Sequence, residues 1–235
     1  MPINGKDLAR IVDATNIKIT ATKADMERLI AEGIKHNFGM LVGLPCFGPM
    51  LIEGVKGYDI KVHGAAGLRD GGGDRWEVKV EQAKSKLAMG CGEIESRLNL
   101  GYLKSGLYDE IVHEVRAIKD VCPNNIYKVL MEVTQMTDEE IRIACELCMD
   151  GGADFVKSAS GEYGPTTLHH VEVMSSAVKG RIGIKASGGI RSIQTVDQMM
   201  EIGATRFGIG DVYKRQGPYP QLCHQRPQAG GKAAD

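Results

Sequence analysis

The chain has 235 residues, 43% of them hydrophobic and 25% charged, with 30 Gly and 8 Pro, which is the profile of a folded domain with material for a substantial core. Lys and Arg total 29 against 30 Asp and Glu, a net charge of -1, so the basic surplus that nucleic-acid binding draws on is missing. No window approaches the roughly 18 uninterrupted apolar residues of a membrane span, and the opening MPINGKDLARIVDATN lacks the apolar stretch of a signal peptide; the expectations are no nucleic-acid partner, no membrane and a cytoplasmic address.

In chain order, Thr22 with Asp25 three residues later marks a helix start, followed at helical spacing by Met26, Leu29, Ile30 and Gly33. A short apolar run over 38–44 reads as a strand buried on both faces. The stripes Val80/Ala83/Leu87 and Tyr108/Ile111/Val115/Ile118 predict two more helices, with a strand over 126–134 after them. Thr137 with Glu140 caps another helix, whose buried face carries Ile141, Ala144, Cys145 and Cys148. Strands follow over 154–158, 182–186 and 206–209, with a helix opening at Ser192 between the last two. Gly90, Gly152 and Gly203 each close a helix just before a strand, in an internal echo at about two strand–helix units.

Eight such units of roughly 25 to 30 residues fill a (β/α)8 TIM barrel; a doubly wound open sheet is the alternative, disfavoured by the lack of GxGxxG after the first strand. Residues 211–235, with Pro and Gln but no apolar period, cannot supply the eighth helix. They read as a disordered tail or a misjoined reading frame beyond a domain of residues 1–210.

The six cysteines (Cys46, Cys91, Cys122, Cys145, Cys148, Cys223) are scattered, so reduced thiols are expected. Cys145 and Cys148 form a CxxC inside a helix, and small apolar residues on a buried face is the reading there, with no metal. His63, His169 and His170 lack ligand spacing and are expected at exposed or turn positions. Lys104 and Ser105 read as solvated loop, and Trp76 as an anchor for the helix that follows.

Two lysines occupy equivalent places in apolar strands, Lys157 in DFVKSASG and Lys185 in GIKASGGIR. Neighbouring strands lie about 4.8 Å apart, and two ammonium groups ~4 Å apart at an effective dielectric of ~20 repel by about 4 kcal/mol. That suffices to leave one amine partly neutral near pH 7, as attack on a carbonyl requires. Strand-end lysines whose heads reach water or meet carboxylates are the alternative. SGGIRS, residues 187–192, either aims backbone N–H groups of Gly188 and Gly189 at an anion or is simply a tight strand-to-helix turn.

These residues resemble the deoxyribose-phosphate aldolase family, class I Schiff-base aldolases on a TIM barrel. The resemblance is strongest through TDEEIRIACELCMDGGADFVKSASG, IGIKASGGIRS and GATRFG, and weaker at Asp13, Thr15, Cys46 in PCFGP, EVKVEQAK and NLGYLKSG. It implies that Lys157 forms the Schiff base, that Lys185 tunes it and assists proton transfer, and that Glu95 stands where the family's proton-shuttling aspartate belongs. A solvent-facing Glu95 paired with Arg97 or Lys128 is the other reading. The resemblance further implies phosphate binding by Gly161, Gly188 and Gly189, no cofactor, no metal, a sugar phosphate and an aldehyde as partners, and no catalytic role for Cys46, taken as a small buried thiol. It leaves a homodimer open.

The implied reaction is cleavage of 2-deoxyribose 5-phosphate to acetaldehyde and glyceraldehyde 3-phosphate. Departures at 61–75, at 92–98 with Ser96 and Arg97 in place of apolar residues, and after Gly208 fall at strand ends. They are expected either to impair the activity or to mark local frame errors. An aldolase for another sugar phosphate and a non-catalytic phosphate-binding barrel are the alternative functions.

Overall fold

The computed structural model describes residues 5–68 and 70–210, and the predicted tail 211–235, with any eighth covering helix, lies outside the described residues. The elements run α1 Gly5–Arg10, β1 Val12–Asn16, α2 Lys23–His36, β2 Met40–Gly43, α3 Gly48–Gly54, β3 Lys61–Ala66, α4 Trp76–Met89, β4 Glu93–Arg97, α5 Leu100–Lys104 and α6 Tyr108–Val121. Then follow β5 Ile126–Leu130, α7 Asp138–Asp150, β6 Phe155–Lys157, α8 Leu168–Val178, β7 Gly183–Ser187, α9 Ile193–Ile202 and β8 Arg206–Gly210. All eight strands are parallel and hydrogen-bonded in sequence order, and β1 pairs with β8 (Asp13 opposite Gly208), so the sheet closes into a barrel and the open-sheet alternative falls.

The caps form as the sequence predicts. Thr22 and Asp25 make a reciprocal capping box on α2, Thr137 and Glu140 do the same on α7, and the Ser192 hydroxyl accepts the Thr195 N–H on α9. The sequence reading missed α8, whose Thr167 cap pairs with a histidine, His170, where Glu or Gln usually signals a box. His169 is exposed and His170 is partly exposed on its first turn. Cys145 and Cys148 are fully buried on α7, the thiol of Cys145 pushed up to about 12 by burial, as an apolar helix face requires. Trp76 opens α4 and meets the His113 ring edge-on, at 4.8 Å between centroids. No helix of the described residues is long and apolar enough to cross a membrane.

The strand period of two puts alternate residues on opposite faces of the barrel wall. On β4, Ile94 and Ser96 face the helix layer, where the Ser96 hydroxyl lies 2.6 Å from that of Tyr127, while Glu93, Glu95 and Arg97 face the interior. Barrels of this type usually fill that interior with Val, Ile and Leu; here charged side chains occupy it.

The two internal departures from the family pattern meet in space. A Cβ on Gly72 would lie 2.8 Å from the Arg97 side chain. The buried Lys79 ammonium donates to the carbonyls of both Gly72 and Arg97 at 3.0 Å and to Glu114 of α6 at 2.6 Å. The two segments are therefore tied together by one ammonium. Strand β4 does not shift to eject Arg97, which stays in register with Leu130.

Candidate active site

Lys157 ends β6 and Lys185 lies mid-β7, and the two are directly opposite in the parallel ladder. Both ammonium groups reach one carboxylate: Lys157 Nζ is 2.6 Å from Glu95 Oε1, and Lys185 Nζ is 2.9 Å from Glu95 Oε2. Glu95 and Lys185 are each 1% exposed, whereas the Lys157 side chain keeps 13% of its surface open toward the barrel mouth. Glu95 is thus neither solvent-facing nor paired with Arg97 or Lys128.

The cluster extends downward through residues that sequence reasoning did not assign to the site. Asp13 of β1 forms an ion pair with Lys185 at 2.6 Å and accepts from Arg206 of β8 at 2.8 Å, with Lys128 of β5 at 3.7 Å. Lys128 also pairs with Glu93, and Arg206 reaches Glu93 at 3.1 Å. On the adjacent strand β3, His63 Nε2 stands 3.7 Å from Glu95 Oε1. This corrects the expectation of an exposed or turn histidine: β3 points the ring inward, and its side chain is 3% exposed. The missed signals are charged residues inside short apolar strands, Asp13 in VDATN, Lys128 in IYKVL and the alternating Glu93, Glu95 and Arg97 of EIESR, which face the barrel interior.

These environments separate the two lysines. Burial lowers the Lys157 pKa, and the Lys185 charge adds to it against the pull of Glu95. Burial is a larger cause than the amine–amine repulsion expected from the strand spacing. Burial acts on Lys185 as well, yet Asp13 and Glu95 together outweigh it and raise that ammonium above its ordinary value. For Glu95, burial pushes upward but Lys157 and Lys185 hold the carboxyl well below the usual range. Asp13 is likewise depressed, with Lys185, Lys128 and Arg206 overcoming burial. Burial keeps His63 below its usual value, and so neutral.

Beyond the lysines, the turns after β6 and β7 touch backbone to backbone. Gly161, Gly188 and Gly189 have φ of +91°, +89° and +75°, and a Cβ on Gly161 would meet Gly188 Cα at 3.3 Å. Thr166 locks the turns together, its N–H donating to Gly188 O at 3.0 Å and its hydroxyl to Ser187 O at 2.5 Å. These three predicted glycines therefore share one rim beside Lys157 and Lys185. Cys46 is exposed in the turn after β2, contrary to the buried thiol expected.

Comparison with known proteins agrees with this geometry. Residues 21–216 match the model of the DeoC/LacD family aldolases. Deoxyribose-phosphate aldolase 1 of Bacillus licheniformis is 35% identical over 205 residues, covering 86% of this chain and 92% of that protein. The deoxyribose-phosphate aldolase of Deinococcus radiodurans is 36% identical over 202 residues, with 86% and 91% covered. Among solved structures, the aldolase QR15 superposes with a TM-score of 0.84 at 29% identity, covering 92% of this chain and 96% of its own. The tetrameric deoxyribose phosphate aldolase of Aeropyrum pernix gives 0.78 at 26% identity, with 88% of each chain covered. An eight-stranded barrel holding two in-register lysines on one carboxylate, matched over most of its length by these proteins, belongs to the DeoC/LacD family of aldolases.

Proposed function

We propose that the chain is a class I aldolase cleaving 2-deoxyribose 5-phosphate to acetaldehyde and glyceraldehyde 3-phosphate, with Lys157 as the Schiff-base amine. The observation that carries this reading is the single carboxylate of Glu95 shared by Lys157 and Lys185. Four buried or half-buried cations (Lys128, Lys157, Lys185, Arg206) face three carboxylates (Asp13, Glu93, Glu95) inside the barrel. One positive charge is in excess; burial lowers the pKa of both Lys128 and Lys157, and Lys157, 13% exposed where Lys128 is fully buried, is the one open to an incoming carbonyl once its proton is lost.

Neutral Lys157 attacks C1 of the open-chain sugar and water leaves, giving an iminium. Glu95 takes the proton of the C3 hydroxyl as the C2–C3 bond breaks; the electron pair flows into the iminium, forming an enamine and releasing glyceraldehyde 3-phosphate. Lys185, kept charged by Asp13 and Glu95, supplies the proton that C2 of the enamine takes up and recovers one from Glu95 across their 2.9 Å contact, and water hydrolyses the new iminium to free acetaldehyde and Lys157. Gly161, Gly188 and Gly189 receive the phosphate; their positive φ values let backbone approach an anion with no Cβ in the way.

Acetaldehyde with borohydride tests the assignment. Reduction traps the iminium as an ethyl group on Lys157, read by peptide mass spectrometry. A folded protein with no adduct, or with the adduct on another lysine, overturns it.

A further inference from the structure

Glu132 lies two residues past the end of β5 and combines three features that the mechanism above leaves unused. It is completely buried. Its backbone is left-handed, with φ +60°, a conformation unfavourable for a residue with a side chain that persists only where the surroundings enforce it. Its carboxylate acts as a hub: Oε2 accepts the Ser160 N–H at 3.1 Å, and Oε1 lies 3.0 Å from an Arg97 guanidinium nitrogen.

The same nitrogen of Arg97 holds Glu162 Oε2 at 3.1 Å. Ser160 and Glu162 flank Gly161, so the two contacts grip the turn on both sides of the glycine that abuts Gly188. The backbone around Glu132 is fixed to the reacting strand as well, because Met131 donates to Lys157 O at 2.9 Å and Val133 to Ser158 O at 3.0 Å. With both neighbours pinned, the left-handed turn directs the side chain onto the loop.

We propose that Glu132 is a positioning residue that sets the β6–α8 turn, through Ser160 and through Arg97, so that Gly161 and Gly188 are held ready for the substrate's phosphate. The inference rests on the phosphate reading of those glycines. A carboxylate that only supported the fold would matter equally for substrates with and without phosphate, whereas a positioning role appears in their ratio.

The test measures kcat/KM for 2-deoxyribose 5-phosphate and for unphosphorylated 2-deoxyribose, in the wild type and in Glu132→Gln and Glu132→Gly. The glutamine keeps the shape and removes the charge; the glycine removes the side chain and suits the left-handed backbone, so it reads the effect should the first variant fail to fold. Both are expected to lower the phosphorylated-to-unphosphorylated ratio by about tenfold or more, since a misplacement near 1 Å can cost on the order of a hundredfold. A wild type without preference for the phosphorylated sugar overturns the phosphate reading and this inference with it. A wild-type preference that folded variants retain in full overturns the inference alone.

Discussion

Replacing Glu95 by Gln removes the charge that both lysines share while leaving the side-chain shape. The contact to Lys157 is 2.6 Å, and at an effective dielectric near 20 a carboxylate–ammonium attraction at that separation is about 6 kcal/mol. Glu95 divides its charge between two ammonium groups, so a part of this acts on Lys157. An opposite charge in this range moves a titration by about one to three pH units. With the anion gone the Lys157 ammonium is less favoured, and its amine is neutral at lower pH. The pH midpoint for borohydride trapping of acetaldehyde on Lys157 is therefore expected to fall by at least about one unit. Turnover is expected to fall by about 10² to 10⁴ if Glu95 is, as proposed, the group that takes the hydroxyl proton. Lys185 keeps its 2.6 Å contact to Asp13, so a cooperative melt should persist. A midpoint that stays in place or moves to higher pH would refute the claim that Glu95 holds the proton on Lys157.

Lys185→Met is expected to do the opposite, raising the trapping midpoint because a neighbouring cation that disfavours the Lys157 ammonium is removed; a fall would count against the charge argument. Asp13→Asn removes one of the two carboxylates that hold each of Lys185 and Arg206, leaving them Glu95 and Glu93 alone, and the buried excess of positive charge should lower unfolding stability by about 3 to 5 kcal/mol in urea at neutral pH. Asp13 and Glu95 are both depressed in the folded state, so the stability they contribute is present above the unfolded carboxylate value near 4 and is lost as pH falls below it. The wild-type urea midpoint should drop through that window more steeply than that of Asp13→Asn. Gly189→Ala places a Cβ 2.7 Å from that of Pro165 at φ +75°; it should lower the melting temperature and raise KM for the phosphorylated sugar, and an unchanged KM would count against the rim.

The short-range features were legible because they are written in neighbouring residues. Thr22, Thr137 and Ser192 announce helix starts through caps three or four residues long, and the strand-and-helix alternation gave the barrel. The lysine motifs with the glycine turn after Lys185 pointed to amine chemistry and to the rim. The helix after Thr167 escaped because its capping partner is His170 rather than an acid or amide.

What sequence determined by itself was the succession of elements, the two amines on consecutive strands and the family they resemble. Barrel closure decided the rest, since it alone brings β1, β4, β5, β7 and β8 to one axis. Glu95 and Lys185 meet across 90 residues of chain, and Asp13 and Arg206 across 193. No local pattern distinguishes an inward His63 from one in a turn, or an Arg97 held by Glu132 and Glu162 from a misplaced charge. Those assignments depend on which strand face looks into the barrel and on what stands opposite, and both are properties of the closed sheet.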